Sequence, residues 1–240
     1  MNGVFSFFRF SKLLKSQFRL ASTPLIVYVL ATLTFYFLTV WLIKMPGTRI
    51  WQPFWGVTCV TGTAGVLIMS SLFCANVRKK TSFQTFNLLP VSNLEKYLAR
   101  VLIYNVLPLI IWGVLSFALY LNDDFVSKLG FEKRNLPVHI ILAMLLVWLS
   151  SLAAFWGTMF RRFGFVVFLV FTTLLIVLTV NWLINANLMF LDPVARFIGK
   201  DLHRLYLVVG LFTGSLTIVN LTAAYFVYRR KEMRSKLFNW

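Results

Sequence analysis

Residues 76–100 read NVRKKTSFQTFNLLPVSNLEKYLAR, and they lie between two apolar runs, 54–75 and 101–121. The stretch is too long for a simple turn and too basic for lipid, yet it carries Phe83, Phe86, Leu88, Leu89 and Leu94. The runs on either side each hold about 20 apolar residues, the number that crosses ~30 Å of hydrocarbon as a helix. Working outward, similar runs occur at 25–43, 138–160, 163–184 and 205–228, giving six candidate spans. Inside a bilayer every backbone amide must be satisfied within its own segment, and these runs far exceed the roughly ten residues of a membrane strand. The expectation is therefore an all-α integral membrane protein with six transmembrane helices. Pro108 falls early in the third span and predicts a kink there, because a proline removes one helical hydrogen bond.

Composition agrees. Of 240 residues 59% are hydrophobic and 13% charged, about half the charged share of an ordinary soluble domain. A net charge of +17 is in the range of a nucleic-acid binder's, but here Lys and Arg punctuate membrane-length runs and do not line one solvated face, so no nucleic-acid partner is expected. Cys59 and Cys74 share one run, about 22 Å apart at ~1.5 Å per residue, too far to pair. The run at 25–43 is too long for a signal-peptide core and no A-x-A-like site follows it, so it reads as a retained span.

The basic residues also orient the chain. Sixteen of the 24 Lys and Arg fall on the side of the N-terminal arm, the 76–100 loop, Arg161, Arg162 and the tail after Tyr228. The opposite side has eight, together with five of the seven acids. By the positive-inside rule both termini are expected in the cytoplasm.

Two segments outside the spans have patterns of their own. Residues 4–20, VFSFFRFSKLLKSQFRL, predict an amphipathic helix lying on the membrane. At 100° per residue Phe7, Phe10, Leu13, Leu14 and Phe18 gather on one side, and Arg9, Lys12, Lys15 and Arg19 on the other, facing anionic lipid. The alternative is a basic anchor that only fixes topology. Residues 185–204 are semi-apolar but too short in apolar content to cross; they predict a re-entrant or interfacial segment, with Asp192 and Pro193 as a helix start.

The chemistry of a membrane enzyme or proton-coupled carrier is not written in the spans. All seven acids, and His139 and His203, fall at or beyond span ends. H-E-x-x-H, G-x-S-x-G and the Walker pattern are all missing, so no catalytic role, metal or cofactor is expected for this chain. In-span polar residues such as Thr58, Thr61, Thr63, Thr172, Thr173, Asn181, Thr217 and Asn220 are uncharged and read as interhelical hydrogen-bonding groups. Gly62 and Gly65, and the Gly210-x-x-x-Gly214 pair, fit close helix approach, either within the chain or between two copies.

The opening stretch has internal punctuation. Pro90 ends what precedes it, and Ser92-Asn93-Leu94-Glu95 is a capping box, in which hydroxyl and carboxylate each meet a free backbone donor. A helix is expected from Asn93 into the third span, with Lys96 and Arg100 at the membrane edge and Tyr97 and Leu98 beginning its burial. Residues 79–89 form a separate short element. It is either an interfacial helix in the headgroups or an apolar knob for a groove on a partner protein.

The order of amphipathic elbow, six spans, a loop with Leu88-Leu89-Pro90-Val91-Ser92 followed by Glu95-Lys96-Tyr97, and a semi-apolar segment before the last span resembles the permease subunit of type-2 ABC exporters. The resemblance runs over essentially the whole chain. It implies a half-transporter in the prokaryotic cytoplasmic (inner) membrane: a second permease copy, identical or related, and separate ABC ATPase subunits that hold ATP and Mg. It also implies that Phe83, Phe86, Leu88 and Leu89 dock the ATPase, while Arg78, Lys79 and Lys80 hold the loop at the lipid surface. The uncharged spans point to an amphipathic or lipid-like cargo. The competing reading is an accessory, immunity or substrate-capture membrane protein with no transport cycle of its own; a bilayer-embedded enzyme, with His203 near Asp201 as its candidate, is a third.

Overall fold

A computed structural model describes residues 6–44, 51–72, 92–121, 136–160, 163–185 and 202–237. These residues are all-helical, with no strand among them. The helices are α1 (Phe7–Lys44), α2 (Trp51–Ser71), α3 (Asn93–Val101), α4 (Leu107–Tyr120), α5 (Leu136–Phe160), α6 (Gly164–Asn185) and α7 (Leu202–Leu237). A π-helical segment, Leu102–Val106, joins α3 to α4 without a break.

Four of the described helical stretches are long and apolar enough to cross a membrane: Phe7–Leu42, Asn93–Ala118, Ile140–Phe160 and Arg204–Arg230. Two shorter apolar stretches, Thr58–Ser71 and Gly164–Leu174, lie in α2 and α6. The protein's exterior is that of a membrane protein. Large apolar side chains such as Phe37, Ile110, Val170, Leu211 and Ile218 point outward, while Thr39, Ser70, Ser150, Ser151, Thr158 and Thr213 are buried. Water would penalise that arrangement and hydrocarbon favours it, since lipid tails satisfy Leu but not a hydroxyl.

Where hydrocarbon supplies no hydrophobic drive between helices, close backbone approach and polar contacts hold them together. Helix α5 is the central element, packed on α7, α2 and α6, and its inward face is made of small residues: Ser150, Ser151, Ala153, Ala154, Gly157 and Thr158. A Cβ on Gly157 would collide with the Ser71 backbone carbonyl of α2. One on Gly164 would stand 2.6 Å from Gly157 Cα, so the two glycines bring α6 onto α5. Asn220 of α7 donates to the Ser151 hydroxyl at 3.2 Å, and the Thr39 and Thr58 hydroxyls of α1 and α2 are 2.7 Å apart.

The amphipathic helix expected at 4–20 and the span expected at 25–43 are one continuous helix from Phe7 to Lys44, with Pro24 inside it. Its buried residues explain the continuity. Leu13, Gln17, Ala21, Leu25, Tyr28 and Thr32 form a stripe at helical spacing that runs past the proline unbroken. Packing along this stripe outweighs the single backbone hydrogen bond that Pro24 removes. The residues expected on the apolar side divide between interior and exterior. Leu13 is buried and Phe10 and Leu14 pack beside it, but Phe7 and Phe18 stand outside and Gln17 takes the interior position.

Candidate functional site

Among the described residues, the buried charges Glu95, Lys96 and Arg100 lie together at the exit of the 76–100 loop. Ser92 has extended backbone (φ −66°, ψ 151°), and its hydroxyl accepts a hydrogen bond from the Glu95 amide at 3.2 Å. Oε2 of Glu95 accepts from the Ser92 amide at 2.9 Å, completing a capping box at the start of α3. The other oxygen, Oε1, accepts from the Ser6 amide at 2.7 Å, across 89 positions of sequence. Ser6 is the residue before α1, and its carbonyl accepts from Phe10 in that helix's first turn. One fully buried carboxylate thus caps two helices, satisfying a free amide at each and placing negative charge at the positive end of both dipoles. Arg9 Nη2 lies 3.9 Å from the same oxygen.

The rest of α3 is turned inside out relative to a soluble helix. Glu95, Lys96, Ala99, Arg100 and Ile103 face inward, while Leu94, Leu98 and Leu102, four residues apart, face outward. Lys96 and Arg100, expected at the membrane edge, are 1% and 4% exposed, and Leu98 lies on the outer face of the helix. The four-residue leucine spacing gives the lipid-side face to apolar residues, which leaves the inward face to the charged ones. Tyr97 is buried as expected and donates its hydroxyl to the Leu221 carbonyl of α7 at 2.6 Å. Its ring meets Tyr225 edge-on at 5.3 Å, and the Arg100 guanidinium lies over the Tyr228 ring at 5.3 Å. Helix α3 is therefore fastened to α1 on one side and to α7 on the other.

The remaining sequence-predicted positions divide. Phe83, Phe86, Leu88 and Leu89, and Arg78, Lys79 and Lys80, lie outside the described residues. Lys12, Lys15 and Arg19 are exposed on α1, with Lys12 Nζ 4.3 Å from the Phe8 ring centroid. Gly62 and Gly65 face α4 and α1: an added Cβ would stand 2.7 Å from Trp112 Cδ1 in the first case and collide with the Tyr28 ring in the second. Among the described residues, Gly210 would meet only Met144, at an ordinary 3.6 Å, and Gly214 would meet nothing within 4 Å. Between α1, α2 and α4 a cleft of about 20 Å³, room for one water, is lined by Thr32, Tyr36, Thr58, Ser116 and Trp112.

Sequence reasoning missed the Glu95–Ser6 contact and the Gly157–Gly164 pair. The only local signal for the first is a polar Ser6 before an apolar helix start; for the second it is the small-residue run from Ser150 to Gly157. The chain matches no protein-family profile, no curated protein and no solved structure.

Proposed function

We propose that this chain is the membrane-spanning permease subunit of an ATP-binding cassette exporter, working with separate ATPase subunits and a second permease copy. The observation that carries the reading is the Glu95 double cap: the carboxylate at the exit of the basic, apolar-studded loop also holds the start of the N-terminal helix. A push on the loop at Ser92 reaches α1 through Glu95 and α7 through Tyr97, which is what a force-transmitting loop requires.

In this reading α2 and α6, of 21 and 22 residues, join the four longer helices to make six spans, since about 20 residues suffice. Both ends lie in the cytoplasm by the Lys and Arg distribution, and the membrane is the prokaryotic inner one. The N-terminal part of α1 presents Lys12, Lys15 and Arg19 to anionic headgroups. Phe83, Phe86, Leu88 and Leu89 dock the ATPase. Spans lined by apolar and small uncharged polar residues suit an amphipathic or lipid-like cargo better than an ion.

Purification of the tagged chain from its native membrane in mild detergent, followed by mass spectrometry, tests the proposal. A soluble ATPase recovered in stoichiometric amount is the expected result. Recovery of the chain alone or as a simple oligomer, under conditions that keep it folded, overturns it and leaves the loop as a membrane-surface anchor.

A further inference from the structure

We propose that the helix running from Asn93 to Tyr120 is hinged at residues 102–108 and that the Ser70 hydroxyl of α2 is its latch. The proposal concerns this chain alone and does not depend on an ATPase partner.

Covalent chemistry sets the break. Pro108 has no amide hydrogen, so the α-type donor that would serve the Tyr104 carbonyl does not exist, and the proline ring crowds that carbonyl. The ladder widens on the N-terminal side of the proline: the Leu107 amide donates to the Leu102 carbonyl, five residues back, through the π-helical segment Leu102–Val106. Neighbouring helices then supply side chains on both sides of the break. Ser70 donates to the Tyr104 carbonyl at 3.3 Å and accepts from Asn105 Nδ2 at 3.3 Å. From α1, the Tyr28 hydroxyl donates to the Pro108 carbonyl at 3.2 Å.

All of these groups are buried. Side-chain bonds of 3.2–3.3 Å are longer than the usual hydrogen-bond range, so each holds the joint less firmly than a well-formed bond. Below the break, α3 is tied to α1 by Glu95 and to α7 by Tyr97. Above it, α4 packs on α2 and α1. A joint made of a proline, a π turn and two borrowed hydroxyls, those of Ser70 and Tyr28, lets α3 tilt against α4 with no regular helical bond broken.

The test places two spin labels on this one helix, at Leu98→Cys and Phe117→Cys, in a Cys59→Ser, Cys74→Ser background reconstituted in nanodiscs. Both sites are exposed, and they are separated by about 28 Å if the helix is straight. A second pair at the same spacing on the unbroken α7, Leu207→Cys and Phe226→Cys, gives the rigid-helix reference. Pulsed dipolar spectroscopy reads both distance distributions. The hinge predicts that the 98–117 distribution is broader than the α7 reference and extends to shorter distances. Ser70→Ala broadens it further, and Pro108→Ala narrows it toward the reference. A wild-type 98–117 distribution as narrow as that of α7, or one that Ser70→Ala leaves unchanged, overturns the proposal. The α7 pair keeps the comparison decisive if Pro108→Ala fails to fold.

Discussion

Replacing Glu95 with alanine separates the double cap from an ordinary one. The carboxylate accepts two backbone hydrogen bonds, from Ser92 at 2.9 Å and Ser6 at 2.7 Å. A bond to a charged acceptor contributes about 1.5–3 kcal/mol, so losing two sets an upper range of about 3–6 kcal/mol. Ser6 and Ser92 are only half-buried, so water replaces part of what the carboxylate gave. The expected cost therefore lies near the bottom of that range, at about 3 kcal/mol. Arg9, 3.9 Å away with a side chain 39% exposed, adds little. For a chain of this size about 3 kcal/mol lowers the melting midpoint by roughly 6–12 °C.

The assay is the apparent melting midpoint in detergent, by fluorescence-detected size exclusion, for Glu95→Ala, Ser92→Ala and Ser6→Pro. Ser92→Ala removes one local cap bond and is expected to cost about 1 kcal/mol. Ser6→Pro removes the distant donor alone, at a helix start where proline is tolerated. In a double-mutant cycle Glu95→Ala is expected to cost less in the Ser6→Pro background than in the wild type. If Glu95→Ala costs no more than Ser92→Ala, or if the two changes add without coupling, the carboxylate holds only its own helix and the link to α1 is refuted.

Three further outcomes are expected. Gly157→Ala destabilises by about 1–3 kcal/mol, because the atom in the way is the Ser71 backbone carbonyl and cannot rotate aside; Gly214→Ala, which meets nothing, leaves the midpoint unchanged or raises it, and equal midpoints for the two variants would discredit the packing argument. Tyr97→Phe, which loses the 2.6 Å bond to the Leu221 carbonyl but keeps the ring contacts, is expected to cost about 1 kcal/mol, read from the same melting curves. If the chain is the proposed permease, Phe83→Asp with Phe86→Asp leaves insertion intact but lowers recovery of the ATPase that reading requires, measured by quantitative mass spectrometry; undiminished recovery removes those two residues from the docking role.

What could be read from the sequence follows from how far apart the interacting groups are. Helical class follows from apolar runs of bilayer length, each a local property. The capping box of Ser92 and Glu95 is equally local, with both partners within one turn. The contact from Glu95 to Ser6 spans 89 residues, and neither residue carries a mark that names the other. Continuity of α1 through Pro24 was hidden for a similar reason. A change from basic to apolar composition reads as a boundary, but the stripe from Leu13 to Thr32 that crosses it becomes visible only once α1 has neighbours. Gly62 and Gly65 stood out as a close pair, whereas Gly157 and Gly164 are single glycines seven residues apart on two different helices. Pro108 announced a kink; that the disturbance takes the form of a π turn at 102–106, on the proline's N-terminal side, depends on the hydroxyl that α2 offers there.

The inverted face of α3 links these observations. A helix that turns Leu94, Leu98 and Leu102 outward and buries Glu95, Lys96 and Arg100 gains nothing from the hydrophobic effect in water, so its position is set by the polar partners that α1 and α7 present. Such contacts are directional, and a buried charge that loses its partner is costly. Helix α3 therefore has few alternative placements against α1 and α7, and the three move together more easily than they slide apart. The compliance such a block needs must then lie where α3 continues into α4, and there the chain places a proline, a π turn and hydroxyls borrowed from Ser70 and Tyr28. A stiff block on a soft joint, fastened directly to the end of a basic loop, is the mechanical form that transmission from that loop into the helix bundle requires.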